Sequence, residues 1–150
     1  MLLENNWYLG CGAHPPLGTI FPASLSFAVL LIAVMLPSRA GAADWSKAQP
    51  VTVVTTESKF TPHKLAFRRG VAYRLHVENH GKEMHEFNAA DLFKSSEIAN
   101  PEALNADKTE IVVHPGEAKD LYFLPKQAGH FRLVCPDHDW DGMTGKITVK

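Results

Sequence analysis

From residue 51 onward the chain alternates short apolar runs with turn residues. Val51–Thr55 is rich in β-branched residues, which pack well on a pleated surface. Phe60 to Phe67 sets apolar Leu65 and Phe67 ahead of a turn at Arg68-Arg69-Gly70. In the next run Tyr73, Leu75 and Val77 fall on one side of a period of two, and Arg74, His76 and Glu78 on the other. That is the pattern of a half-buried strand. Ile111–Val113, Asp120–Leu124, Gly129–Val134 and Lys146–Val149 continue the series, with Asn79-His80-Gly81, Pro115-Gly116 and Pro125 as punctuation. Strands this short predict an all-β, antiparallel Greek-key β-sandwich. One stretch breaks the rhythm. Ala89–Ala99 predicts a short helical insertion before Asn100-Pro101, with one more turn over 101–108. His76 and His114 read as ordinary surface histidines.

The first forty-odd residues stand apart from this pattern. Residues 21–36 are apolar and uncharged, and an A-x-A sequence follows at Ala40-Gly41-Ala42. The apolar core is short for a membrane span, and small residues follow it, as in a secretory signal. Glu4 stands before it where a signal usually carries positive charge. Residues 1–42 are therefore expected to be a signal peptide or N-terminal anchor, and 43–150 the folded domain. An exported, periplasmic protein is the expectation, with membrane contact only through an uncleaved N-terminal segment. The composition, 45% hydrophobic and 21% charged, is that of an ordinary globular protein. A net charge of -1 gives no general basic field and argues against nucleic acid as a partner.

Removal of that segment leaves one cysteine, Cys135, because Cys11 precedes the apolar run. A lone cysteine in an exported domain has no internal disulfide partner, so it is either an inert buried thiol or a metal thiolate. Its neighbours favour the second. Cys135-Pro-Asp-His138-Asp-Trp-Asp-Gly-Met143 puts a thiolate, an imidazole and a thioether on one short loop after an apolar strand. Thiolate with imidazole suits copper or zinc, and the thioether tips the balance to copper. Structural zinc usually takes more than one cysteine. A trigonal His2Cys set with a weak axial Met needs a second histidine, and His85 in Lys82-Glu-Met-His-Glu-Phe87 is the best candidate.

The chain resembles the cupredoxin family, which includes plastocyanin, azurin and amicyanin, over nearly all of residues 43–150. Phe60-x-Pro62-x-x-Leu65-x-Phe67-x-x-Gly70 looks like the family's second-strand pattern. Gly129-x-Phe131-x-x-x-Cys135 looks like its strand into the metal loop, and Met143-x-Gly145-x-Ile147 like its exit into the last strand. The resemblance implies one type 1 copper ion held by His85, Cys135 and His138, with Met143 axial. It implies one-electron transfer to a redox partner protein, by a monomer that is more an electron carrier than an enzyme.

Two features depart from the family's usual pattern. Many members carry Asn after the first histidine, where this chain has Glu86, and that carboxylate could approach the copper. Glu83 and Glu86 flank His85, and Asp137, Asp139 and Asp141 flank His138, with Trp140 the one large apolar residue among them. Such acids are either a solvated loop or a surface that collects hard cations such as Fe2+. The chain also resembles the periplasmic cupredoxins that accompany bacterial ferrous-iron permeases, which implies Fe2+ oxidation of the ferroxidase kind in iron transport. Copper sequestration or tolerance without a redox partner is the alternative, with His63, His80, Met84 and His130 as weak additional sites.

Overall fold

The computed structural model describes residues 42–150. The expected signal or anchor segment lies, but for Ala42, outside them. Among the described residues ten strands form two five-stranded sheets. Along the chain these are β1 (Gln49–Thr56), β2 (Lys59–Thr61), β3 (Lys64–Phe67), β4 (Tyr73–Asn79) and β5 (His85–Asn88). After the helix α1 (Ala90–Lys94) come β6 (Ser96–Ile98), β7 (Glu110–Val113), β8 (Ala118–Pro125), β9 (Gly129–Val134) and β10 (Thr144–Val149). One sheet has the order β2-β1-β4-β8-β6, the other β3-β10-β9-β5-β7. No helix among the described residues is long and apolar enough to cross a membrane.

The period of two in β4 is realised as read: Tyr73, Leu75 and Val77 are buried while Arg74 is exposed. Their inward faces meet those of β8 and β3. Phe67, Tyr73 and Phe123 pack edge-on or tilted, with centroids 4.8, 5.1 and 5.9 Å apart, an arrangement aromatic rings prefer over flat stacking.

Pairing is not purely antiparallel. β1 runs parallel to β4, and β10 runs parallel to β3. These pairs join strands distant in sequence, which periodicity alone does not reveal. The helix expected over 89–99 stops at Lys94, and Ser96–Ile98 becomes a strand paired with Phe123–Pro125 of β8. The edge of the first sheet offers that backbone a ladder, and tertiary pairing overrides a weak local helix preference. Pro101–Ala103 forms one 3-10 turn, as its proline suggests.

Candidate metal centre

Two segments supply the centre, and the second sheet brings them together. Asn88 of β5 pairs with Val134 of β9, so the start of β5 and the exit from β9 lie side by side. His85 opens β5; Cys135 follows β9 directly. The chain then turns through a 3-10 segment, Pro136–Asp141, that carries His138. Backbone bonds close this loop on itself. His138 N–H donates to Cys135 O (3.0 Å), Met143 N–H to His138 O (3.1 Å) and Cys135 N–H to Met143 O (3.1 Å). Gly142 adopts φ 83°, a left-handed turn that a side chain would strain. Gly145 stands just beyond, where a Cβ would come within 2.6 Å of His63 O. Close approach of β10 to the β3 segment therefore requires glycine there.

The three expected donors converge. Cys135 Sγ lies 3.4 Å from His138 Nδ1 and 3.9 Å from His85 Nδ1. The three ligand atoms all fall within 4.8 Å of one another. Donors about 2.0–2.3 Å from one ion, spread in a plane around it, stand roughly 3.5–4 Å apart. The set is therefore close to the spacing that one metal ion requires. Met143 is fully buried at the loop's return, bonded through its backbone to both Cys135 and His138. His85, Cys135, His138 and Met143 are positioned like a type 1 copper site.

The two histidines are held differently. His85 is completely buried, and its Nε2 has no partner among the described residues. Gly81 makes room for it, since a Cβ at that position would lie 3.0 Å from Nε2. Asn79 fixes the loop between β4 and β5. Its amide donates to Glu83 O (2.7 Å) and Val113 O (2.9 Å), and its Oδ1 accepts from Gly81 N–H (2.8 Å). Burial, reinforced by the nearby His138, holds His85 below the usual imidazole pKa, so it stays neutral and able to bind metal. His138 has a side chain 12% exposed, and its Nε2 bonds to the Glu83 carboxylate at 2.8 Å. A carboxylate on the far nitrogen leaves Nδ1 as the free donor and orients the ring.

Burial pushes the Cys135 thiol up to about 11 from its ordinary value of 9.0, and the Glu86 carboxylate adds to the rise. Without metal the thiol keeps its proton; a bound cation must displace it. Glu86 itself is only 7% exposed, so it does not belong to the outer rim. Its Oε2 accepts from the Cys135 thiol at 3.1 Å and from Asp137 N–H at 3.4 Å, while its own N–H donates to Cys135 Sγ at 3.4 Å. It touches the sulfur and stands outside the converging trio. The remaining acids are dispersed as well: Asp139 faces Arg132 at 3.9 Å, and Asp141 accepts from the Ser58 hydroxyl.

Sequence reasoning missed Asn79 as more than a turn residue, although its place before Gly81 was a signal. It also missed β5 as a strand. Of the accessory residues suggested by sequence, His80 bonds Glu78 and His130 bonds Thr148. His76, read as a plain surface residue, is clasped between Asp120 (2.9 Å) and Glu78 (3.0 Å).

Comparison with known proteins agrees with this geometry. Residues 26–149 match the family described as Cupredoxin-like domain, and the chain belongs to that family. Among solved structures it resembles auracyanin B at 21% identity and a TM-score of 0.52, covering 69% of this chain and 89% of that one. Auracyanin from the photosynthetic bacterium Roseiflexus castenholzii is 14% identical with a TM-score of 0.52, covering 69% and 98%. The McoA multicopper oxidase from Aquifex aeolicus is 11% identical with a TM-score of 0.57, covering 73% of this chain and 31% of the oxidase. These likenesses define a shared fold. No curated protein sequence matches the chain.

Proposed function

We propose that the chain is an exported carrier of single electrons, holding one copper ion through His85, Cys135 and His138 with Met143 as a weak axial donor. The convergence of the Cys135 sulfur and two imidazole Nδ1 atoms carries this reading. A copper ion bound there supplies a one-electron couple, and the chain's own residues make that couple usable. The sheet pairing of β5 with β9 and the closed loop limit how far the donors can shift between valences. The partly open His138 edge gives access from solvent, and Trp140, 79% exposed on the same loop, offers a partner protein an apolar contact. The apolar segment 21–36 and the A-x-A at 40–42 support export to the periplasm. Met143→Leu tests the axial role. It should keep copper and raise the reduction potential, because losing a weak donor destabilises Cu(II) more than Cu(I). An unchanged potential and spectrum would remove Met143 from the site.

A second reading, Fe2+ oxidation in iron uptake, is favoured by one contact. Glu83 is 71% exposed and its carboxylate bonds His138 Nε2 at 2.8 Å. A hard cation held by Glu83 would be one hydrogen bond from a copper ligand. Fe2+ should then reduce the Cu(II) protein faster at low salt than at high salt, since exposed charges are screened over about 8 Å at physiological ionic strength. An uncharged reductant should respond little. Equal responses from both would leave a plain electron carrier or a copper-sequestering protein.

A further inference from the structure

The outer face of the second sheet carries a row of cations that the copper chemistry does not use. Lys146 of β10 is paired directly with Lys64 of β3 on one side and Arg132 of β9 on the other. All three are exposed. Like charges opposed across a ladder destabilise a sheet. Among the described residues only Arg132 of the three approaches an acid, Asp139, at a loose 3.9 Å. Arg68 and Lys150, both exposed, follow at the ends of β3 and β10. In a chain of net charge -1 this is a local concentration, not a general excess.

The same face is concave. A groove of about 790 Å³ runs along β9 and β10, bordered by Arg132, Lys146 and His130, its open lining more apolar than polar and, among the described residues, without an acid. Cations around an apolar trough complement an extended acidic segment interrupted by apolar side chains. Carboxylates would meet the Lys64–Lys146–Arg132 row while an apolar side chain enters the trough. A concave trough suits such a segment better than the flat surface of a bilayer.

We infer that the β3-β10-β9 face is a docking surface for an acidic segment of a partner protein. It lies on the strand that leads into Cys135, yet its cations touch none of the four copper-site residues, so binding there does not require metal.

The test is titration of the full chain, copper-loaded and metal-free, with a synthetic peptide of glutamates interrupted by single leucines, followed by amide NMR shifts. Shifts should concentrate at Lys64, Arg132, Lys146 and Thr148 in both forms and weaken as salt rises. The triple variant Lys64→Gln, Arg132→Gln, Lys146→Gln should bind about tenfold more weakly, as expected for three exposed charge contacts of a fraction of a kcal/mol each. These side chains point away from the core, and an unchanged copper band confirms that the variant is folded. The inference is overturned if a peptide with glutamine for glutamate binds as well, if the shifts fall elsewhere, or if the triple variant binds like the parent. Association with phosphatidylglycerol vesicles without peptide binding would also overturn it and assign the face to a membrane.

Discussion

His85 and His138 present the same atom to the same sulfur, yet the chain holds them in opposite ways. His85 sits in a strand paired on one side with β7, fully buried, above a loop stapled by Asn79. His138 rides a 3-10 turn with part of its ring open to solvent and a carboxylate on its far nitrogen. One histidine is an anchor; the other is the face that the outside can reach. The difference shows how one small sandwich combines a rigid donor set with an accessible edge. Rigidity comes from sheet pairing on the β5 side, and access from a short loop that its own backbone bonds keep closed.

The comparison can be broken by deleting each ring. His138→Gly opens a gap at the surface, so added imidazole should enter and restore copper binding and colour. His85→Gly leaves its gap inside the core, where external imidazole should fail. Copper titration with and without imidazole reads both, and equal rescue would show that the two positions are equally open. A smaller effect is expected at Asn79→Ala, which removes three hydrogen bonds, one buried and two part-buried, made by a fully buried residue. It should lower stability in denaturant melts by about 2–4 kcal/mol, since orphaned buried groups cost roughly 1–3 kcal/mol each and part of the loop can relax. The loss should be accompanied by weakened copper binding through the His85 side.

Acid–base behaviour sharpens the same contrast. The Cys135 thiol is raised from 9.0 to about 11 in the folded, metal-free chain, chiefly by burial. The native state therefore holds this proton more tightly than the unfolded chain does. Its contribution to stability is complete below pH 9 and is lost as pH rises through about 11. Melts of the metal-free protein should show that decline, and Cys135→Ser should remove it. Glu83→Gln should have the smallest effect on the folded protein. The exposed Glu83–His138 contact adds little stability, so copper should remain while reaction with Fe2+ slows. An unchanged rate would separate Glu83 from the electron's route.

Much of this architecture was legible in the sequence because the relevant signals are local. The alternation in Tyr73–Val77 reports which face is buried, and the spacing Cys135, His138, Met143 places three donors on one loop. What stayed hidden depends on distant partners. Ser96–Ile98 looks helical until β8 offers it a ladder. His85–Asn88 mixes polar and apolar residues, and its first three are buried whatever their polarity, so no period of two marks it as a strand. Asn79 reads from the sequence as a turn residue and Glu86 as an acid beside His85 that could approach the copper; neither reading predicts its burial. They are buried because Val113 O, Glu83 O and the Cys135 thiol, which satisfy them, arrive from elsewhere in the chain. The acids flanking the two histidines separate for the same reason: Glu86 turns to Cys135, Asp139 to Arg132 and Asp141 to Ser58.

The central claim is that Cys135, His85 and His138 together hold one copper ion through its thiolate. Visible and electron-paramagnetic spectra of the copper-loaded chain test it most directly. The account predicts one copper per chain, an intense thiolate-to-Cu(II) band, and loss of that band in Cys135→Ser. A loaded protein without the band, or a Cys135→Ser variant that keeps it, would contradict the account.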